Sequence, residues 1–334
     1  MKKNLLISFV MVLIYFLVPI NTSVRLASAA SEIKSKVLKG VSSYTKSGTF
    51  GESYDLFANK LKEKSSGALT LNLIGASDAI RQPDQPKAVQ QGIVDFHYAS
   101  FSTYEKVLPV TIGAPLDHYT PMEDRQKGIY EFWNNKFEKY GLHYLGIIHC
   151  PGENYFFLNK QIINPHEDFK GLKLRTSNTY FAFIKALGAV PVTVGHSETY
   201  SALQTGVVDG SGWVCDSIDR MKGYEVLKYY VDVPFYRANT IMVVNLKTWN
   251  SLDKTAQDII SQVANEVEAQ RWKDLRPQDA KLLAKFEEKG MQPIKLSAEN
   301  TKWYIETADE AKWAEAKAKV DEEDYATMRK LFAR

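Results

Sequence analysis

Along the chain the apolar positions alternate between a period of two and helical spacing, which predicts an α/β protein. Lys36 to Ser43 reads as a strand. Tyr54, Phe57, Ala58 and Leu61 recur at helical spacing, Gly67 is placed to stop that helix, and Leu69 to Ile74 forms a second strand. Thr120-Pro121-Met122-Glu123 is a capping box with proline at the first helical position. Ile129, Phe132, Trp133 and Phe137 form the buried stripe of the helix it opens, Gly141 ends that helix, and His143 to His149 is strand-like again. From Asp253 to Gly290 one helical pattern runs on with Pro277 inside it. At 1.5 Å per residue it would extend roughly 55 Å, more than a small domain's width. No sustained heptad runs through it, so it predicts a helix that crosses two domains and kinks at Pro277. Lys302 to Arg334, rich in Ala, Lys and Glu, reads as terminal packing helices.

One segment is echoed. Ala88-Val89-Gln90-Gln91-Gly92-Ile93-Val94-Asp95 is matched by Ala202-Leu203-Gln204-Thr205-Gly206-Val207-Val208-Asp209. Each reads as a helix end, a glycine that reverses the chain, then a short strand. Two equivalent units imply two similar domains with a cleft between them. Asp95 and Asp209 occupy equivalent turn positions, which suits backbone hydrogen bonding better than paired acid–base work.

The N-terminus changes the picture of where the chain works. Lys2 and Lys3 precede an apolar run from Leu5 to Ile20, and Ala27-Ser28-Ala29 supplies a cleavage site, so residues 1–29 are expected to be a signal peptide. The run is too short to favour a retained span, and no cysteine follows it to carry a lipid anchor. Loss of Lys2, Lys3 and Arg25 lowers Lys+Arg from 42 to 39, equal to Asp+Glu at 39. A neutral exported chain is a poor fit to nucleic acid or an anionic membrane. The roughly 305 remaining residues suit two domains. Cys150 and Cys215 would meet an oxidising compartment, either paired or as two buried thiols.

Enzyme chemistry is sparse. There is no Gly-x-Ser-x-Gly elbow, no Gly-x-Gly-x-x-Gly, no phosphate-binding loop and no His-Glu-x-x-His. His97, His118, His143, His149, His166 and His196 do not pair at metal-ligand spacing. No catalytic residue, metal or cofactor is assigned.

Three ordered motifs carry a resemblance. They are Asp168-Phe169-Lys170-Gly171-Leu172-Lys173-Leu174-Arg175, Ala186-Leu187-Gly188-Ala189-Val190-Pro191-Val192, and Glu198 to Gly210, which contains the second copy of the echo. Together they resemble the extracytoplasmic solute-binding subunits of TRAP transporters, over essentially the whole mature chain. The resemblance implies a two-domain periplasmic binding-protein fold with a hinge-closing cleft, a small carboxylate as ligand and TRAP membrane subunits as partners. It divides the chain into a first domain of 30–151 with 239–280 and a second of 152–238 with 281–334, bridged by the long helix.

Arg175 matches the family's carboxylate-binding arginine, and a guanidinium offers a planar fork of donors that suits a carboxylate. Where several members carry a second arginine this chain has Asn154, and where many carry an asparagine after Asp-Gly it has Trp213. One cation fewer and one indole more favour an aromatic or indole-type monocarboxylate, then 2-oxo acids, with dicarboxylates last. Further candidates follow from their place in loops expected at the cleft: Phe50, Tyr98, Ser100, Tyr180, Phe235 and Tyr236. Arg237 reads equally as a second cation for the ligand or as a hinge-surface charge. A sensor kinase as recipient of the loaded protein is the alternative to a permease, and an organic-acid lyase or hydrolase lacks its catalytic groups.

Overall fold

A computed structural model describes residues 33–150, 152–195 and 198–332. The expected leader at 1–29, Pro151 and His196 lie outside the described residues. The strands are β1 (Lys36–Ser42), β2 (Leu69–Gly75), β3 (Phe96–Ser100), β4 (Leu142–His149), β5 (Asn154–Leu158) and β6 (Lys173–Thr176). They continue with β7 (Val190–Thr193), β8 (Gly210–Val214), β9 (Tyr229–Val231), β10 (Thr240–Asn245) and β11 (Gln292–Ile294). The helices that matter below are α1 (Gly48–Lys64), α2 (Gln85–Gln90), α3 (Pro121–Gln126), α4 (Ile129–Lys139), α5 (Phe181–Ala186) and α6 (Thr199–Gln204). After them come α7 (Cys215–Arg220), α8 (Lys254–Leu275), α9 (Gln278–Glu288), α10 (Ala298–Lys319) and α11 (Glu322–Leu331).

Two sheets make two lobes. The first has strand order β2-β1-β3-β10-β4, and the second has β11-β9-β5-β8-β6-β7. Both are mixed: β1 runs parallel to β2 and β3, while β10 lies antiparallel between β3 and β4. In the second, β6 runs parallel to β7 and β8, and β5 is antiparallel to β8 and β9. Each sheet is covered on both faces, which is why β5 and β10 are buried at every position. Along β10, Ile241 and Val243 pack with Trp133 and Phe137, whereas Met242 and Val244 pack with Phe57, Ile260 and Val263. Along β5, Phe156 and Leu158 face Phe183 and Tyr304, and Phe157 faces Leu203, Ile218 and Phe286.

The echoed segments are equivalent in three dimensions. Gly92 and Gly206 each end a helix with φ of +76° and +73°, a backbone that a side chain would strain. Asp95 then donates its N–H to the Lys39 carbonyl and accepts the Lys39 N–H on its carboxylate, both at 2.8 Å. Asp209 does the same with Lys173, at 2.7 and 2.9 Å. Each aspartate thus locks the start of a parallel strand pair, β1–β3 in one lobe and β6–β8 in the other. Both carboxylates are spent on these backbone bonds.

The structure corrects the helix reading in three places. The helix opened by the Thr120 capping box, which is present as expected, stops at Gln126, and α4 restarts after Gly128 at φ +78°. The stretch 253–290 is two helices rather than one kinked rod. Pro277 sits between them, because it has no N–H to continue the ladder. This broken pair does bridge the lobes: α8 buries Ile260, Val263 and Val267 in the first core, and α9 buries Leu283 and Phe286 in the second. Lastly, α10 is itself a crossing. Tyr304 and Ala308 belong to the second core, Ala316 to the first, and α11 adds Met328 and Phe332 to the first. The C-terminal residues expected to lie wholly with the second domain are therefore shared.

Candidate functional site

Strands of an open α/β sheet direct their C-terminal ends toward the ligand, and here the two lobes point these ends at each other. The space between them is a cavity of about 440 Å³. Its first-lobe wall holds Tyr44 and Phe50, which follow β1, and Ser100 at the end of β3 with Ser102 and Thr103 beyond it. The facing wall holds Arg175 and Thr176 at the end of β6 with the residues to Tyr180 beyond it, Thr193 and Val194 at the end of β7, and Trp213 and Val214 at the end of β8. Asn154 and Arg237 to Thr240 close the back, where the chain passes between lobes. A larger depression of about 630 Å³ lies on the outer face between α4 and α11. It contains none of the candidate residues, and its Lys136 is already paired with Asp324.

Seven of the ten candidates line the cavity: Phe50, Ser100, Asn154, Arg175, Tyr180, Trp213 and Arg237. Tyr98, Phe235 and Tyr236 do not; they are core residues. Tyr98 sits two residues inside β3, packed edge-on against Tyr44 and Tyr54. Phe235 packs against Phe156 and Phe183. Tyr236 turns away from the cleft and donates its hydroxyl to the Ala308 carbonyl.

Arg175 is the centre of the site. Only 3% of it is exposed. Its Nη1 donates to the Tyr180 hydroxyl at 2.8 Å and, at 3.4 Å, to the Gly212 carbonyl, and Nε donates to the Val194 carbonyl at 3.4 Å. The Tyr180 hydroxyl in turn donates to the Gly212 carbonyl. The guanidinium lies 4.1 Å from the centre of the Trp213 ring, so the indole props the cation instead of standing beside it as a separate wall. Among the described residues no acidic side chain pairs with Arg175.

The two other arginines of the cavity wall are compensated. Arg237 meets Asp117 at 3.7 Å, donates Nε to Asn239 at 3.1 Å and Nη1 to the Tyr119 carbonyl, and lies over Trp272. Asp117 and its neighbour Asp124 are both raised, Asp124 to about 9, first by burial, with Arg237 opposing the shift and the Asp117 charge raising Asp124 further. Arg237 therefore belongs to a buried network at the hinge while it also lines the cavity. Arg220 pairs with Asp216 at 3.1 Å. Asn154 also spends its side-chain N–H₂ inward, donating to the Tyr236 carbonyl at 2.8 Å.

Two buried histidines, His97 and His149, are spent on internal hydrogen bonds. His97 is held between Gln85 at 2.9 Å and the Tyr104 hydroxyl, and burial depresses it to about 3. His149 pairs with Ser53 at 2.8 Å and is lowered by burial. Cys150 and Cys215 are free and buried in different cores. Among the described residues no three His, Cys, Asp or Glu side chains cluster as metal ligands would.

Several lining residues carried no mark in the sequence. Tyr44 stacks on Phe50 at 4.1 Å, and its hydroxyl accepts from Thr240 at 3.3 Å. It lies just beyond β1 as Ser100 ends β3, so extending the strand-end logic to every parallel strand would have found it. Arg220, at the far end of α7, had no such signal.

The sequence model of the bacterial extracellular solute-binding proteins, family 7, matches residues 41–319. A sialic acid-binding periplasmic protein of Vibrio cholerae is 28% identical over 249 residues, 71% of this chain and 75% of its own length. The structure of a TRAP periplasmic solute-binding protein from Ochrobactrum anthropi is similar with a TM-score of 0.79 at 25% identity, covering 90% of this chain and 96% of its own. A second such structure, from Desulfovibrio salexigens with bound orotic acid, gives 0.78 at 23% identity, covering 89% and 99%.

Proposed function

The chain belongs to the bacterial extracellular solute-binding proteins of family 7, and from that premise we propose that it captures a ring-bearing organic monocarboxylate and delivers it to TRAP membrane subunits. The observation that carries this reading is the buried Arg175 guanidinium, which faces the interlobe cavity without an acidic partner among the described residues. A buried charge is costly unless paired, and a ligand carboxylate supplies the missing partner. Because Arg237 and Arg220 are matched by Asp117 and Asp216, Arg175 is the one arginine of the wall left without an acidic partner among the described residues, while Lys106, which also lines the cavity, is exposed to solvent. That balance favours a monoanion over a dicarboxylate.

The body of the ligand is argued from the rest of the wall. The stacked Tyr44 and Phe50 rings offer a flat apolar seat opposite Arg175, and the ring contributes by area and by stacking. Ser100, Ser102, Thr103 and Thr240 add hydroxyls beside it, so ring acids with carbonyl or hydroxyl groups suit the cavity better than plain hydrocarbons. The orotic acid bound to the Desulfovibrio relative is such a molecule and supports the class, not the identity.

On this reading residues 1–29 direct export, and the protein works outside the cytoplasmic membrane. The lobes close on the ligand by shifting a population of open and closed forms. The domain division that goes with it gives 33–150, 239–275 and 312–332 to one lobe and 152–238 and 278–311 to the other. Mass spectrometry of the molecule released on denaturing purified protein, followed by thermal-shift competition against carboxylates, tests the proposal. A ring-bearing monocarboxylate that raises the melting temperature is expected. A dicarboxylate would reject the charge argument, and a neutral sugar would reject the role of Arg175.

A further inference from the structure

One side chain of the second lobe reaches across the mouth of the cavity. Arg220, at the end of α7, donates Nη1 to the Ser47 carbonyl at 3.3 Å and lies 5.6 Å from the centre of the Phe50 ring. Both partners belong to the first turn of α1 in the other lobe. The fit is close: a Cβ on Gly48, which holds φ at +69°, would sit 3.0 Å from both Cδ and Nη1 of Arg220. Beside it, the Asp216 carboxylate pairs with Arg220 and faces the Thr49 hydroxyl.

That helix start is incomplete within its own lobe. Ser47 makes no side-chain cap bond, its hydroxyl meeting Thr45 instead at 2.8 Å, and the first turn carries no acidic residue. Exposed N–H groups and the helix dipole favour a negative charge at such a place. Asp216 supplies it from the opposite lobe. The pair is also tied to the ligand wall, since Trp213 is followed by Val214 and then directly by α7.

We propose that Asp216 and Arg220 are an interlobe clasp, positioning residues that hold the first turn of α1, and with it the Phe50 wall, over the cavity whether or not it is filled. Arg220 does not compete with Arg175 for the ligand's carboxylate, because Asp216 neutralises it. The clasp rests on the reading that the cleft closes around a ligand, but its contacts are tested without one.

Hydrogen exchange on the full mature chain, dialysed free of small molecules, follows the amides of 47–53 in wild type, Arg220→Gln and Asp216→Asn. Exchange there should rise about ten-fold in both variants, with the 156–158 strand unchanged as internal reference. Small-angle scattering should show a larger radius of gyration in the variants while far-UV circular dichroism stays the same, a change that a purely local role would not produce. Any molecule carried through purification should leave the variants about ten-fold faster. Unchanged exchange at 47–53, or faster exchange with no change in radius, overturns the clasp. A wild-type chain that binds no carboxylate while its variants still lose protection and expand would reject the proposed function and leave the clasp standing.

Discussion

Replacing Arg175 with glutamine separates a binding residue from a structural one. The guanidinium is 3% exposed and has no acidic partner among the described residues, so in the ligand-free protein its charge stabilises nothing by pairing. Its neighbours do not depend on it alone: Tyr180 keeps its bond to the Gly212 carbonyl. Ligand-free stability should move by no more than about 1 kcal/mol, or roughly 2–4 °C for a chain of this size. Affinity should collapse. Truncating one partner of a desolvated charge pair costs roughly 2–5 kcal/mol, which at about 1.4 kcal/mol per decade is roughly thirty-fold to several thousand-fold. Lysine, which keeps the charge but loses the planar fork, should fall between the two. Isothermal titration with the molecule identified by mass spectrometry reads the affinity, and calorimetric melts of the ligand-free protein read the stability. A dissociation constant within three-fold of wild type refutes the argument. So does a ligand-free melting temperature that drops by tens of degrees, because Arg175 would then be a core strut.

Trp213→Ala should weaken short aliphatic acids and ring-bearing ones alike, by roughly 2- to 30-fold, since the indole props Arg175; a loss confined to ring-bearing acids in titrations would return Trp213 to the role of a stacking wall. Burial raises Asp279 from its ordinary 3.8 to about 6. The folded protein then binds a proton that the unfolded chain has released, so this group's contribution falls as pH rises from about 4 through 6. Thermal melts across that window should show a shallower fall for Asp279→Asn than for wild type, and parallel curves would count against it. Cys150 and Cys215, buried in separate cores, should react with a thiol reagent only after unfolding, and a denatured, unreduced chain with no free thiol would mean that they pair.

Much of this was legible in the chain because spacing fixes it. The echo of helix end, glycine, valine and aspartate marked an equivalent short strand in each lobe, and the ends of those strands led to Trp213 and Ser100, while Arg175 came from the family motif around it. What failed was depth. Tyr98 and Ser100 share a strand and a face, yet only the last residue reaches the cavity, and no periodicity distinguishes a strand's end from its interior. Phe235 and Tyr236 were placed correctly beside the crossing, but aromatic rings there fill the second core, because neighbouring Phe156 and Phe183 leave room for them. Asn154 and Arg237 line the cavity as their place suggested, but their inward partners were not legible in the sequence. The double role of α10 was hidden because helical spacing says which face is buried, not which lobe buries it.

The placement of β10 has a consequence for how the molecule is made. It lies between β3 and β4, within the first sheet, yet it follows the whole of β5 to β9 in the chain. A ribosome that has synthesised everything through the second sheet has still not completed the first. Two strands must hold a gap, or wait, until residues 240–245 arrive, and Met328 and Phe332 seal the same core later still. Such long-range closure slows folding. It also means that neither lobe can be cut out and expressed by simple truncation: a nascent chain ending before Thr240 is an unfinished first lobe joined to a second that still lacks β11.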